Sequence, residues 1–359
     1  MGLAHSPKIV TDGLAFIYDT GSGKSYKGEP TTNLYGNWNT YTGGSHEVLD
    51  NNTNYIKLLA SAGVPWAGQF TAAVSAGTYT VSFQHRTDDG GSSTFNIDND
   101  TQDDNLWNAN ITTTIEWQTY TSTKTHTGTG NHLLYFRRNG GTGNIYIRNV
   151  QLELKSHATP FIKGTRSATQ GLLDLTRNSS IDISPTSFNS NAEIEYDGSS
   201  DYIYVAGKTW LFSTGATVEQ IIRPNTVSRN QGFFTLNGSP GYINFWMPSS
   251  NTMRWEVIGT TAQGYSTISS TTVFQTNQYY HVVGTFNGTT TNIYINGVEE
   301  NGQTMTNQPT SVTAQMEIGR YDTSYPSSAQ IPVTKVYNKA LSAEEVKNHF
   351  NGIRSRFGI

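Results

Sequence analysis

The chain contains no cysteine, which excludes disulfide staples and thiolate metal sites. Charged side chains make up only 14% of its 359 residues, against a usual share of roughly 25%. Something other than charge must therefore solubilise the surface. Helix formers such as Ala, Leu, Glu and Lys are scarce. No apolar run reaches the ~18 residues of a spanning helix, so no membrane is expected as partner. A formal net charge of −4 and a pI near 6.1 leave no electrostatic footprint for nucleic acid. Met1 to Lys8 lacks the apolar centre of a signal peptide, and nothing membrane-seeking follows Gly2. There is no His-Glu-x-x-His and no Gly-x-Ser-x-Gly, so metal hydrolases and serine hydrolases have no anchor.

Thr, Ser, Asn and Gly take the place of charge, and 20 Tyr with 15 Phe supply much of the core. Thr and aromatics favour strands, and Gly and Asn favour the turns between them. Period-two alternation recurs almost throughout. Thr78 to Phe83 puts Tyr79, Val81 and Phe83 on one face after Gly77. Leu133 to Arg138 and Asn144 to Leu154 read as strands separated by Asn139-Gly140-Gly141. Tyr280 to Phe286 runs into Asn287-Gly288, and Asn292 to Ile295 into Asn296-Gly297, the strongest short-range hairpin signal. One helix is expected near the end: Ser342 as N-cap, Glu345 completing a capping box, an apolar Val346 and Phe350, and Gly352 as terminator.

The fold class expected is all-β: two antiparallel β-sandwich (jelly-roll) modules with one short C-terminal helix. Leu14 to Tyr18 is an apolar strand too isolated to be a domain and must pair elsewhere. It is assigned to the later sandwich, which makes the middle module an insertion. The expected domains are 1–33 plus 164–359 for one sandwich and 34–163 for the inserted one, which ends near Pro160.

The C-terminal half resembles concanavalin A-like, laminin-G-type jelly rolls on bacteriophage virion surface proteins. The resemblance is carried by Tyr196-Asp197-Gly198-Ser199-Ser200-Asp201-Tyr202-Ile203, by Tyr280 to Phe286 ahead of Ile293-Tyr294-Ile295-Asn296-Gly297, by Glu317-Ile318-Gly319-Arg320, and by Val336 to Val346. The family usually has Trp where Tyr280 stands and Gly before the closing strand, where Ala329-Gln330-Ile331 stands. In phage members, a start like Asp12-Gly13-Leu14-Ala15-Phe16 leads directly to a segment similar to Asp174-Leu175-Thr176-Arg177-Asn178. The inserted piece, through Ala76-Gly77-Thr78-Tyr79 and Ile147 to Leu154, is similar to carbohydrate-binding-module jelly rolls on phage tail and capsid-associated proteins.

Several segments could carry chemistry. Gly21-Ser22-Gly23-Lys24-Ser25 looks like the end of a phosphate loop, but Tyr18 stands where such a loop needs Gly and no helix can follow. It reads as a turn. Glu193, Glu195 and Asp197 alternate along one strand but depart from the carboxylate order of jelly-roll glucanases, so they read as a solvated face. His281 lies in a strand interior and reads as a buried, hydrogen-bonded histidine. Asp98, Asp100 and Asp103 could offer hard oxygens to a calcium cofactor, although the stretch lacks the Gly and Glu of an EF-hand loop. For glycans the candidates are Trp66 and Trp107 in the inserted module, and Tyr321, Asp322 and Tyr325 after Gly319, each also readable as packing or plain loop.

The resemblance implies a non-catalytic virion structural protein, such as a capsid decoration, head fibre or tail-associated component. It would be made in the host bacterial cytoplasm and carried on the virion. Its partners would be other virion proteins of capsid or tail, with Met1 to Lys8 facing the particle. The alternative is a carbohydrate-binding adhesin for host surface glycans, and a remote alternative is a glycoside hydrolase. A virion component must survive dilution, so a homo-oligomer is expected, trimer first, joined through strand edges.

Overall fold

The computed structural model describes residues 9–37, 39–40, 46–60, 66–89, 93–98, 109–212, 214–239, 241–259, 265–305, 309–321 and 324–359. The fold is all-β, built from antiparallel sheets with a helix near the C-terminus. The chain divides into two compact units, Met1–Gly28 with Ala168–Asn189 and Glu193–Ile359, and Glu29–Ser167 with Ser190–Ala192. The sequence-based boundaries at 33/34 and 163/164 fall inside the smaller unit. Thr31–Thr32 pairs there with Thr165–Arg166, closing the stem of the insertion.

In the larger unit, one sheet runs Ser187–Phe188, Ile194–Asp197, Ser328–Tyr337, Ala216–Pro224, Tyr280–Phe286, Thr290–Ile295, Val298–Thr304. Leu14–Asp19 pairs with Ser328–Tyr337, so the first strand of the chain lies against the last. The facing seven-stranded sheet runs Ile181–Asp182, Ile203–Leu211, Ser311–Ile318, Gln231–Asn237, Tyr242–Met247, Thr252–Ile258, Tyr265–Val273. Between them lies a core that includes Phe16, Tyr18, Trp210, Phe245 and Trp255. Gly284 is required by this packing. A Cβ there would stand 2.3 Å from the Trp255 indole, whose Nε1 donates to the carbonyl of Thr285 at 3.2 Å.

Turn chemistry accounts for the hairpins. Asn296 and Gly297 both have positive φ, 51° and 76°, as a type I′ turn demands. The strands Gly130–Gly140 and Ile145–Glu153 differ from that pattern. Each pairs into a different sheet of the smaller unit, so their connection crosses from one sheet to the other. Ser342 and Glu345 form the capping box, but the helix Ala343–Phe357 passes through Gly352 and ends at Gly358 in left-handed conformation.

This helix covers a buried polar knot behind the larger unit's first sheet. Glu219 accepts from Lys335 Nζ at 2.7 Å, His281 Nε2 at 3.1 Å and His349 Nδ1 at 2.8 Å. The backbone N–H of Val10 donates to His349 Nε2 at 2.9 Å, which fixes the proton of this imidazole on Nδ1. Burial opposes ionisation of Glu219, yet the Lys335 charge and the two imidazole bonds outweigh it and hold its carboxyl well below the usual range. Burial also lowers the pKa of His281, against the pull of Glu219, so this side chain is neutral in the fold.

Both shifts act in one direction. Glu219, depressed in the fold, contributes stability that is lost as pH falls through the acid range. His281, depressed in the fold, loses stability as pH falls below about 6.5, where the unfolded chain takes up its proton. Urea midpoints should therefore drop between pH 7 and 5. Glu219→Gln should cost about 3–5 kcal/mol at pH 7, because it strands a buried ammonium. A midpoint unchanged by that substitution would refute the assignment.

Candidate functional site

The seven-stranded sheet turns Ile243, Phe245, Met247, Met253, Trp255 and Val257 inward. Alternation therefore puts Tyr242, Asn244 and Trp246, with Arg254 and Glu256, on the outer face. Register places Trp246 opposite Arg254 and Asn244 opposite Glu256. The Arg254 guanidinium sits 4.6 Å from the Trp246 ring centre. Asn244 Nδ2 donates to Glu256 Oε2 at 3.3 Å, and Thr267 and Tyr265 donate to Glu256 Oε1 at 3.1 and 3.3 Å.

A short hairpin, Arg320–Tyr321 with Tyr325–Pro326, is seated over this face. Gly319, at φ 99°, turns the chain into it. Arg320 anchors it, bonded to both oxygens of Glu317 at 2.6 and 2.7 Å and lying 3.3 Å from the Tyr202 ring centre. Thr235 Oγ1 donates to the Arg320 carbonyl at 2.9 Å. Gly232 makes the approach possible, since a Cβ there would stand 1.9 Å from the backbone nitrogen of Tyr321. The result is a row of nearly parallel rings. Tyr321 lies 5.9 Å and 17° from Trp246, and Tyr325 lies 5.9 Å and 9° from Tyr321.

Two polar atoms at this site are buried without a protein partner, the donor Trp246 Nε1 and the acceptor Asn244 Oδ1. Burial, with Glu256 close by, raises the pKa of the Tyr242 phenol, which stays a donor. Asn244 is fully buried, so its free oxygen lies inside the face, while the rings and Arg254 stay half-buried at its border.

Of the residues named from sequence, Tyr321 and Tyr325 come together here. Trp66 and Asp98 are placed only as backbone positions, and Trp107, Asp100, Asp103 and Asp322 lie outside the described residues. Among the described residues, no group of three or more His, Cys, Asp or Glu is arranged to hold a metal. The alternating carboxylates serve the fold: Glu193 and Glu195 accept from Asn189 and Asn225, and Asp197 is held to about 2 by bonds from Ser199 and Ser200. The segment Gly21 to Ser25 is a turn, with Ser25 Oγ donating to Leu173 O at 2.7 Å. Trp246, Asn244, Arg254 and Glu256 were missed. Their available signal was the single polar Asn244 in an otherwise apolar strand.

Residues 197–347 match the family model of the concanavalin A-like lectin/glucanases superfamily. That stretch carries the lectin-like jelly roll and includes every residue of this face. No curated protein matches the chain. Among solved structures, the chain is similar to the binding domain of botulinum neurotoxin serotype D, at 15% identity and a TM-score of 0.43, over 52% of this chain and 49% of that one. It is also similar to the serotype G binding domain, at 14% and 0.42 over 50% and 48%. A third likeness is to the binding domain of Paraclostridial Mosquitocidal Protein 1, at 13% and 0.41 over 50% and 49%. The chain spans about half the length of each.

Gly232→Ala tests how the hairpin is held. It should lower stability by about 1–3 kcal/mol, as overpacking does. Hydrogen exchange should accelerate across 319–328 and stay unchanged in the strands behind. Unaltered exchange in that hairpin would show that it does not need the glycine.

Proposed function

We propose that this chain is a non-catalytic, glycan-binding adhesin, with the outer face of the seven-stranded sheet as its sugar-facing surface. The observation that carries the reading is the row Trp246, Tyr321 and Tyr325, three half-buried rings beside the half-buried Arg254 guanidinium. A pyranose has an apolar C–H face that lies flat on an aromatic ring, and hydroxyls that both donate and accept. Arg254, half-buried over the Trp246 ring, offers donors to such hydroxyls.

The carboxylates on this face argue against hydrolysis. Glu256 and Glu317 are separated by the strands carrying Asn244 and Thr235. Three strand spacings of about 4.8 Å put their backbones roughly 14 Å apart, and the Glu256 carboxylate is held by Asn244, Thr267 and Tyr265. Glu317 is also bound to Arg320 through both oxygens.

A virion role is the second reading, favoured by the strand Leu14–Asp19 completing the sandwich ahead of the phage-like Tyr196 to Ile203 segment. Under it the adhesin would sit on capsid or tail as a homo-oligomer, trimer first. Among the described residues the edge strand Val298–Thr304 pairs only with Thr290–Ile295, and its side chains reach the edge of the other sheet. Its Glu300 carboxylate accepts from the N–H groups of Thr271 and Thr272 on the neighbouring edge. Light scattering tests the assembly, and a clean monomer at micromolar concentration would remove the trimer.

A glycan array tests the main reading. The wild-type protein should bind a restricted set of sugars, and Trp246→Ala or Tyr321→Ala should weaken binding roughly thirtyfold, the ~2 kcal/mol of an aromatic hot spot. An empty array would overturn it. Release of reducing sugar that disappears in Glu256→Gln would overturn the non-catalytic assignment.

A further inference from the structure

The smaller unit carries a second constructed surface, unrelated to the aromatic row of the larger one. Its sheet runs Gln118–His126, Gly77–Thr87, Ile145–Glu153, Tyr55–Leu58, His46–Asp50. Val81, Phe83, Ile145, Ile147, Ile56 and Leu58 point into the core. Alternation sends Gln84, Arg86, Tyr146, Arg148, Tyr55 and Lys57 to the other face. Register aligns Arg86, Tyr146, Lys57 and Glu47 across four strands, and sets Arg148 opposite Gln84 in the next rung.

Trp117, just before Gln118, folds onto this grid. Its ring centre lies 3.8 Å from the Arg148 guanidinium and 5.2 Å from that of Arg86. Arg86 also lies 4.8 Å from the Tyr146 ring centre. Tyr55 closes the group at 6.0 Å from Trp117 and 6.3 Å from Tyr146, inclined at 61° and 45°. Three rings thus surround two guanidiniums.

Charge pairing separates these arginines from their neighbours. Lys57 is paired with Glu47 at 3.3 Å. Asp88 is occupied by Asn144 at 2.7 Å and by the Tyr146 hydroxyl at 3.2 Å. Among the described residues, neither Arg86 nor Arg148 forms an ion pair. Arg148 uses Nε for Gln84 Oε1 at 2.9 Å, and Arg86 Nε is buried with no partner at all. A ring face partly desolvates a guanidinium without satisfying its N–H edge, because the cation–π attraction acts through the face. The planar edge left over is a fork suited to two oxygens of one oxyanion.

We propose that this face binds an acidic sugar, seating its oxyanion between Arg86 and Arg148 with the pyranose against Trp117 and Tyr55. The shared chemistry is a carbohydrate-borne oxyanion, either the carboxylate of a uronic acid or a sulfate ester. Neutral glycans lack the group that the two guanidiniums require.

The experiment is calorimetry of the full chain with polygalacturonate, dextran sulfate and neutral dextran. At least one acidic polymer should bind, at least tenfold more tightly than neutral dextran, and more weakly at higher salt. Binding to polygalacturonate alone assigns a carboxylate, to dextran sulfate alone a sulfate ester, and to both the shared oxyanion. Arg148→Gln should weaken acidic binding about tenfold or more. Should that variant not fold, Arg148→Lys, which retains charge and stem but not the fork, should show most of the loss. Trp246→Ala should leave acidic binding intact, which separates this site from the adhesin reading. No acidic polymer bound, equal binding of neutral dextran, or full affinity in Arg148→Lys and Arg148→Gln would each overturn the proposal.

Discussion

A carboxylate enclosed in a β-sandwich must be neutralised by its own neighbours, and Glu219 draws them from four separate parts of the chain. Lys335 comes from the last strand, His281 from a central strand, His349 from the C-terminal helix, and Val10 joins at one remove through His349. An isolated buried charge would cost several kcal/mol, so each partner is needed in place before the others can be buried. That requirement ties the segment ahead of the first strand, the last strand and the closing helix into one cooperative unit. The first of these segments and the helix, far apart in the chain, thus meet at one buried site.

The helix has a second consequence. Val346 and Leu341 pack with Val283, Tyr294 and Tyr337 on the back of the first sheet. That face is thereby committed to the fold. The outer face of the seven-stranded sheet carries no such helix, and its polar row Thr235, Asn244, Glu256 and Glu317 is satisfied mostly from within the face and the small hairpin above it. Trp255 and Gly284 lock the two sheets together from inside. The small hairpin leaves that polar row buried, with Tyr242, Trp246, Arg254 and Tyr321 half-buried around it.

Much of the fold was legible because local chemistry decides it. Asn296-Gly297 supplies two positive φ values, and Ser342 with Glu345 supplies a cap; neither depends on distant partners. Gly352 misled because a glycine inside a helix costs only about 1 kcal/mol relative to Ala, less than the tertiary packing of the turns on either side. The turn after Arg138 was also legible, but not the sheet to which each flanking strand belongs. A reversal of direction is local, whereas the choice of sheet rests on partners in Trp66–Val74 and Gly77–Thr87. The stem Thr31–Thr32 with Thr165–Arg166 was hidden for the same reason: two-residue strands have no periodicity to read.

The candidate sites were harder to read because aromatic residues do not declare which face they serve. In Tyr242–Met247 only Asn244 interrupts an apolar run, so inward Phe245 and outward Trp246 look alike in composition. Tyr321 and Tyr325 could be named because they flank a glycine-initiated loop, where packing competes less with exposure. Tyr146-Ile147-Arg148 alternates cleanly, yet an outward Tyr and Arg read as an ordinary solvated face. What distinguishes Arg148 is Trp117, and that contact exists only because Gln118 pairs with His85 while Arg148 pairs with Gln84. A guanidinium between rings is therefore a property of strand register. Sequence patterning gives the direction of each side chain, and only the register across three strands gives its neighbours.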